Sequence, residues 1–278
     1  MILPFVLLAQ IRVPVRYEVS PLVADRPYDG GFHQAIWQID GARVKLSRGY
    51  SILALSESPV AALLYGSDGE FAVADSEGRL RALPKSAEWY GLDPQGRVLS
   101  LRYESGRYVV RRNGAVVART GVCRPGFDPV DAPRIVCAVD GHIAVGYDSG
   151  RRATDKGEHA IDTAVFDESG RCVRTWRNVT PGAFVGDLLV AAAHFPFVMQ
   201  PEIGLNRVLS VRTGRSVLEF GGDYAISDRM IVSLTYGKDS VVNGGKIVWP
   251  PEARGGRLRT TGKFVAGSFL TLVQLRPL

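Results

Sequence analysis

The segment AEWYGLDPQGRVLSLRYESGRYVVRRNGAVVAR, which spans Ala87–Arg119, decides the fold of this chain. It contains four short apolar runs that are separated by DPQG, ESG and NG. Glycine and asparagine accept the positive φ angles that tight hairpin turns require, so each separator predicts a turn between two strands. The segment therefore predicts four consecutive antiparallel strands, at Glu88–Leu92, Arg97–Tyr103, Arg107–Arg112 and Ala115–Arg119.

The same pattern recurs along the chain with a nearly constant period. Its second strand begins at Val60, Arg97, His142, Leu188, Arg229 and Ser268. These starts are 37 to 46 residues apart, which is typical of propeller blades of four strands. The last unit stops after two strands, and two more are available at Phe32–Ile39 and Ala42–Ser47. The sequence thus predicts an all-β, six-bladed β-propeller whose last blade is closed by strands from both termini.

The predicted division of the C-terminal part into blades is specific enough to be tested. The fifth blade is predicted to consist of Asp223–Ile226, Arg229–Thr235, Lys246–Trp249 and Arg257–Thr261. The sixth is predicted to combine Lys263–Ala266 and Ser268–Leu275 with the two N-terminal strands. On this division a single propeller domain spans residues 30–278, after an N-terminal segment of residues 1–29.

The N-terminal segment begins with an apolar stretch, Met1–Gln10. It could be the hydrophobic part of an export signal, although it lacks a basic region and is short. The alternative is an additional strand packed on the propeller. We expect an extracytoplasmic (periplasmic or secreted) protein, with a cytoplasmic one as the alternative. No apolar run reaches the roughly 18 residues that a membrane-spanning helix needs.

The chain has a net charge of +6, and its basic residues are mostly arginines dispersed over the repeats. Many fall on or beside the predicted last strand of a unit: Arg43, Arg79, Arg81, Arg119, Arg171, Arg174, Arg215, Arg257 and Arg259. That strand is the outer edge of a blade, where charge discourages pairing with another molecule. We therefore expect edge protection, a monomer, and no nucleic-acid partner.

The three cysteines, Cys123, Cys137 and Cys172, show no CxxC spacing. An odd number without that spacing indicates neither a disulfide framework nor a zinc site. We expect small buried apolar side chains, with a Cys123–Cys137 bridge as the open alternative.

Two segments resemble a known class of propellers: the unit Ala87–Val117 and the outer hairpin AVFDESGRCVRTW, Ala164–Trp176. They are similar to the six-bladed TolB-like and NHL-type propellers in repeat style, over about residues 32–278. That superfamily contains scaffolds, binding modules, lactonases and lyases, so the resemblance implies a fold and leaves the activity open. For an enzyme it implies a metal in the central channel, held by carboxylate, asparagine or histidine ligands.

Long connections predict where a binding site lies. In the third, fourth and fifth units the connection between the second and third strands lengthens, to Asp148–His159, Phe195–Leu205 and Tyr236–Gly245. Adjacent long loops on a rigid scaffold indicate recognition, although neutral drift is the alternative. We expect a non-catalytic binding module for a protein or a small polar ligand. Its candidate residues are Arg151, Arg152, His159, Phe197, Met199, Glu202, Tyr236, Lys238 and Asn243.

The mouth of the central channel is the alternative site. The predicted innermost strands are apolar, and polar residues occur only at their entrances: Glu88, Arg134, Asp223 and Lys263. The two carboxylates belong to opposite blades, which is poor spacing for one metal ion. The histidines show no metal-ligand spacing, and the GxSxG motif is absent. We therefore assign no catalytic residue, metal or cofactor, and keep a lactonase- or lyase-like enzyme and a structural subunit as alternatives.

Overall fold

The computed structural model describes residues 15–19, 36–39, 42–45, 50–57, 59–66, 68–75, 77–125, 133–152, 159–193, 205–222, 224–226, 231–236, 242–250, 256–264 and 267–277. Every regular element in these ranges is a β-strand. They contain no helix that is long and apolar enough to span a membrane.

Four consecutive four-stranded antiparallel sheets form the blades of the fold. Three strands come before them: β1 (Val15–Val19), β2 (Ile36–Ile39) and β3 (Ala42–Lys45). Blade 1 consists of β4 (Tyr50–Glu57), β5 (Val60–Gly66), β6 (Phe71–Asp75) and β7 (Leu80–Ala82). Blade 2 consists of β8 (Trp89–Leu92), β9 (Val98–Glu104), β10 (Arg107–Arg112) and β11 (Ala115–Arg119).

The next two blades repeat this arrangement. Blade 3 consists of β12 (Arg134–Cys137), β13 (Ile143–Arg152), β14 (His159–Phe166) and β15 (Cys172–Arg177). Blade 4 consists of β16 (Val179–Val185), β17 (Leu188–Ala193), β18 (Leu205–Ser210) and β19 (Ser216–Gly221). Five strands follow: β20 (Tyr224–Ile226), β21 (Ile231–Tyr236), β22 (Val242–Trp249), β23 (Gly256–Phe264) and β24 (Gly267–Pro277).

The turns of blade 2 have the predicted geometry. Ser105 and Gly106 have φ angles of 50° and 80°, and Asn113 and Gly114 have 50° and 83°. Two consecutive residues with positive φ are what a tight hairpin between twisted strands needs. In all four blades the strands pair in chain order, so each first strand and each fourth strand lies at an edge. The first strands of neighbouring blades also contact each other, β8 with β12 and β12 with β16. The fold is therefore an all-β propeller, as predicted.

The prediction of six four-stranded blades was wrong: the described strands form four. The remaining C-terminal strands and β1 form one six-stranded sheet, in the order β1-β24-β23-β20-β21-β22. The predicted fifth blade placed Arg257–Thr261 outside Lys246–Trp249, but β23 instead pairs with β20. The physical reason is the length of the β23–β24 hairpin, whose ladder runs unbroken from Gly256 to Phe264. The predicted blade boundary near Lys263 would have cut this ladder.

The predicted closure of the last blade was also wrong in detail. The strands β2 and β3 pair only with each other among the described strands, as a two-stranded sheet. The N-terminal strand that joins the C-terminal one is β1, which pairs with β24 from Val15↔Pro277 to Val19↔Val273. The two ends of the chain thus share a sheet, but through residues that precede the predicted pair.

Glycines permit the close approach of neighbouring sheets at three interfaces. A Cβ atom on Gly91 would lie 2.9 Å from Ile135 Cβ, and one on Gly146 would lie 2.5 Å from Pro181 Cδ. A Cβ atom on Gly182 would lie 2.3 Å from the hydroxyl oxygen of Tyr224. A side chain cannot pack this close to the Ile135 Cβ or to the Pro181 ring, so Gly91 and Gly146 set how closely blades 2, 3 and 4 approach one another.

The core lies between the blades, in clusters that each draw on two successive sheets. Among its fully buried side chains are Leu63, Leu99, Val145 and Leu189, on the second strands of blades 1 to 4. The second strand of each blade is apolar on both faces, because a neighbouring sheet packs against each face of the blade. Burial of these side chains is the main stabilising contribution to the fold.

Three turns with the sequence D-x-x-G-R share one geometry. They begin at Asp75, Asp93 and Asp167. In each, one carboxylate oxygen accepts hydrogen bonds from the second and fourth following backbone N–H groups, at 2.8 to 3.0 Å. The other carboxylate oxygen accepts from Nε of the arginine four residues on, at 2.7 to 3.1 Å. The D-x-x-G-R pattern can be read directly from the sequence, but the sequence analysis did not identify it.

The cysteines and outer arginines match the expectations only in part. All three cysteines are free; Cys123 is buried and Cys137 half-buried, but Cys172 is exposed, so the prediction of burial was wrong for it. The strands β7, β11, β15 and β19 lie at the outer edges of blades 1 to 4, as the prediction for the arginine-bearing last strands requires. Arg259, however, pairs with Ile226 of β20 as well as with Leu272 of β24, so the prediction that it protects an edge was wrong.

Candidate functional site

The two faces of the propeller differ in how they connect strands. We call the face that carries the connections between second and third strands the loop face, and the opposite one the turn face. On the loop face, blade 2 has only the turn at Ser105 and Gly106, between β9 and β10. In blade 3 the same connection starts much later, because β13 extends to Arg152, which pairs with His159 at the start of β14.

We call the residues 148–152 and 159–162 the blade 3 hairpin. The sequence predicted a loop from Asp148 to His159, and this was wrong in extent: strand pairing with an irregularity after Asp148 continues to Arg152. Residues 153–158 between the two strands lie outside the described ranges. The hairpin is an extension of the blade itself.

A nearly buried carboxylate ties the hairpin to the next blade. The Asp162 side chain is only 7% exposed and is paired with Arg151, whose Nε lies 3.2 Å from Asp162 Oδ2 and whose Nη2 binds Asp162 Oδ1. Asp162 Oδ1 also accepts a hydrogen bond of 3.3 Å from the backbone N–H of Asn178, just before β16. The pair therefore holds the base of the hairpin against the connection between blades 3 and 4.

A second buried carboxylate shapes the other strand of the hairpin. Asp148 is buried, and its Oδ1 accepts a hydrogen bond of 2.7 Å from the backbone N–H of Gly150. Gly150 has a φ of 71°, and a Cβ atom there would lie 2.0 Å from the backbone oxygen of Arg124. Only glycine fits this position, because both the conformation and the space exclude a side chain. The hairpin thus packs directly on the connection that leaves blade 2.

Three tyrosines form a rigid layer beside the hairpin. The rings of Tyr103 and Tyr108 have centroids 5.3 Å apart, and those of Tyr108 and Tyr147 lie 5.9 Å apart. The Tyr103 hydroxyl donates a hydrogen bond of 2.8 Å to the backbone oxygen of Cys123. Burial raises the pKa of Tyr147 to about 12 and that of Tyr108 further, so both phenols are neutral at physiological pH. Tyr108 and Tyr147 belong to the core cluster between blades 2 and 3, and Tyr103 packs against that cluster.

Two of the predicted channel-mouth residues lie on neighbouring inner strands. Glu88 directly precedes β8 and Arg134 begins β12, and these two strands contact each other. Glu88 Oε1 accepts a hydrogen bond of 3.1 Å from the backbone N–H of Tyr103. Burial raises the pKa of Glu88 above its ordinary value, and the hydrogen bond from Tyr103 opposes this only in part. Glu88 therefore releases its proton at a higher pH than an ordinary glutamate does.

The other two predicted channel-mouth residues do not complete this group. Asp223 lies outside the described residues. Lys263 was predicted to open an inner strand of the sixth blade, but it lies near the end of β23, paired with Ser268 of β24. That placement was wrong for the reason given above, the uninterrupted β23–β24 ladder.

The predicted binding residues are distributed as follows. Arg151, Arg152 and His159 belong to the blade 3 hairpin. Tyr236 ends β21 and Asn243 lies in β22, and pairing of Tyr236 with Val242 shortens the predicted loop Tyr236–Gly245 to residues 237–241. Phe197, Met199, Glu202 and Lys238 lie outside the described residues. The structure therefore brings together the blade 3 part of the predicted rim.

The sequence analysis missed Asp162 and Asn178. A charged residue in the mostly apolar strand HAIDTAVF was the available signal, because a carboxylate in a buried strand needs a partner. Its partner Arg151 is eleven residues away, across a bulge, and no spacing rule points to it. In the part of the chain that the structure describes, no group of three or more His, Cys, Asp or Glu side chains could hold a metal ion.

Comparisons with known proteins return structures only. No family model matches the chain, and no curated protein sequence matches it. A gluconolactonase from Xanthomonas campestris is 13% identical, with 95% of each chain covered and a TM-score of 0.48. Hydrazine synthase from Kuenenia stuttgartiensis is 15% identical over 87% of this chain and 70% of its own, with a TM-score of 0.41. At these low scores and identities, the activities of the two proteins carry no inference about this chain.

Proposed function

We propose that this protein is a non-catalytic binding module that recognises a protein or a small polar ligand on its loop face. The observation that carries the proposal is the blade 3 hairpin, in which β13 continues past a bulge after Asp148 to the pair Arg152↔His159, where blade 2 has a two-residue turn. Arg152 and His159 sit opposite each other at its far end. Binding elements on a rigid scaffold are a common use of such extensions.

The anchoring of the hairpin supports recognition over neutral drift. Two buried carboxylates, Asp148 and Asp162, bind its base, and burying a carboxylate is costly unless it is paired and hydrogen-bonded. A connection that had merely lengthened by drift would not need these groups. A pre-positioned hairpin loses less conformational entropy when it binds than a free loop does. The arrangement therefore favours binding by a preorganised element.

Shortening the hairpin is expected to abolish binding. In the test variant, residues 149–160 are replaced by the Ser-Gly turn of blade 2, and capture from the native extract is quantified by mass spectrometry. We expect the partner recovered by the intact protein to fall by at least about tenfold, as for the loss of a central binding element. Arg79→Gln, on the turn face, is the control and should retain capture. Equal recovery by the shortened and intact proteins would refute the proposal.

A propeller enzyme with its site at the channel mouth is the second candidate. Glu88 favours it, because a carboxyl group with a raised pKa at the start of an inner strand is suited to acid–base chemistry. Here the reaction class is hydrolysis of a small lactone or a related elimination. Glu88 would act as the base that removes a proton from water or from substrate.

The Glu88→Gln variant tests this second candidate. We expect it to lower turnover of small lactones, such as δ-valerolactone and dihydrocoumarin, by about 100-fold. Because burial raises the pKa of Glu88, wild-type turnover should increase as the pH rises through that elevated value, and the variant should lose the increase. Glu104→Gln is the matched control, since Glu104 lies on the same face but its pKa is lowered by its pairing with Arg111. Absence of turnover in the wild type, or its persistence in Glu88→Gln, would exclude this candidate.

Two further parts of the proposal come from the sequence. We infer a TolB-like or NHL-type repeat from the style of blade 2, in which single tight turns join four short strands. We infer export from the apolar character of Met1–Gln10. An extracytoplasmic propeller with a preorganised hairpin is consistent with a binding role.

A further inference from the structure

A groove of about 510 Å³ lies on the turn face, between blades 3 and 4. Its lining contains His142, Arg171, Cys172, Arg174, Asp187 and Arg212. We call it the basic groove. Because it opens on the face opposite the blade 3 hairpin, it is separate from the site proposed above.

Arg174 supplies a fixed positive charge in the basic groove. Its Nε donates a hydrogen bond of 2.8 Å to the backbone oxygen of Val211, its Nη1 donates one of 3.1 Å to that of Val173, and its Nη2 bonds that of Arg212. These partners are neutral carbonyl groups, so they hold the guanidinium in place without cancelling its charge. Arg174 thereby links the outer strand of blade 3 to a turn of blade 4.

Two more guanidinium groups stand at the rim of the basic groove, and both are exposed. The Arg171 side chain is 78% exposed, and its Nε lies 3.1 Å from Asp167 Oδ2. The Arg212 side chain is 81% exposed, and its Nε lies 3.6 Å from Asp187 Oδ2, a loose pair. Ion pairs of such exposed arginines contribute little stability, so either arginine can turn towards a ligand at small cost.

The basic groove also contains the imidazole of His142 beside the three arginines. His142 Nδ1 lies 2.9 Å from Asp140 Oδ1, which leaves Nε2 for another partner. Asp187 is the one carboxylate in the lining named above, against three arginines. Guanidinium groups bind phosphate and carboxylate through paired hydrogen bonds. The volume lies within the range of roughly 300 to 1,000 Å³ that is usual for small-molecule sites.

We propose that the basic groove binds a small molecule with at least two oxyanion groups, phosphate or carboxylate. Arg174 holds one group at the interface of the two blades, and Arg171 and Arg212 close over the second from opposite sides. The ligand thus bridges blade 3 and blade 4.

Calorimetric titration of the full chain tests this proposal, with pyrophosphate and citrate as separate probes. We expect saturable binding of one of them, and the tighter of the two identifies the oxyanion class. Arg171→Gln and Arg212→Gln should each weaken binding about tenfold, as the loss of one charge-assisted hydrogen-bonding group predicts. Thermal unfolding of both variants should match the wild type, since both side chains are exposed.

The matched control is Arg79→Gln. Arg79 occupies the same position as Arg171 in the same D-x-x-G-R turn and is 75% exposed, but it lies on blade 1, away from the basic groove. It should bind the probe as the wild type does. The proposal is overturned when neither probe binds at millimolar concentration, when the two groove variants bind unchanged, or when Arg79→Gln weakens binding as much as they do. Arg152→Ala, at the far end of the blade 3 hairpin, should bind the probe as the wild type does, which separates this site from the loop face.

Discussion

Replacement of Asp93 with alanine is expected to lower the free energy of unfolding by about 3 kcal/mol. The Asp93 side chain is 3% exposed and organises the turn between β8 and β9. It accepts hydrogen bonds from the backbone N–H groups of Gln95, at 3.0 Å, and Arg97, at 2.8 Å. It is also paired with Arg97 Nε at 2.7 Å and Arg112 Nε at 3.5 Å. Its removal leaves two backbone donors and two guanidinium groups without this acceptor.

The matched control for this variant is Asp75→Ala. Asp75 makes the same set of hydrogen bonds in the same kind of turn, but its side chain is 39% exposed. Water can replace the lost acceptor there, so the loss of stability should be clearly smaller. Urea denaturation of both variants, followed by circular dichroism, measures the difference. Equal losses for the two variants would show that burial of Asp93 contributes nothing beyond the turn itself.

The sequence predicted blades 1 to 4 because their information is local. Each of these blades is a run of strands joined by short turns. The turn residues, such as Asn113 and Gly114, can be recognised in the sequence because their residue types favour positive φ angles. Pairing between consecutive strands is the default when the connection is short. The predicted strand order also placed Glu88 and Arg134 at the starts of the first strands of blades 2 and 3. The start of a first strand lies on the loop face, because the connection from the preceding blade arrives there.

The C-terminal sheet could not be predicted in the same way. Local pattern shows that β23 and β24 form a hairpin, but it does not show which free edge that hairpin joins. In the structure the hairpin joins β20 on one side and β1 on the other, and β1 lies more than two hundred residues earlier in the chain. Such a pairing depends on which edges remain open once the other blades have formed.

In the candidate site, too, local sequence pattern does not determine which side chains contact each other. Arg151 was predicted as a surface binding residue, yet its guanidinium is held by Asp162 and is only 38% exposed. The sequence could indicate that charged residues cluster in this connection, but the bulge after Asp148 decides which of them meet. Among the described residues, Arg151 thus belongs to the base of the hairpin, where Asp162 holds it.

Replacement of Gly146 with alanine is expected to lower the free energy of unfolding by about 2 kcal/mol, and replacement with valine by more. A Cβ atom at this position would lie 2.5 Å from Cδ of Pro181, in the first strand of blade 4. Neither partner can move away easily. Gly146 is paired on both sides, with Arg134 of β12 and Thr163 of β14, and the Pro181 ring is attached to its own backbone.

Gly121→Ala is the control for this prediction, because a Cβ atom on Gly121 would have no atom within 4 Å among its described surroundings. Its stability should remain within about 0.5 kcal/mol of the wild type, as for other surface substitutions. The midpoint and slope of urea unfolding are to be compared for both variants. An unchanged slope with a lower midpoint for Gly146→Ala is the expected result, since the native contacts weaken while the surface exposed on unfolding stays the same. A midpoint equal to that of Gly121→Ala would mean that blades 3 and 4 separate without cost, and that the glycine contact does not hold them together.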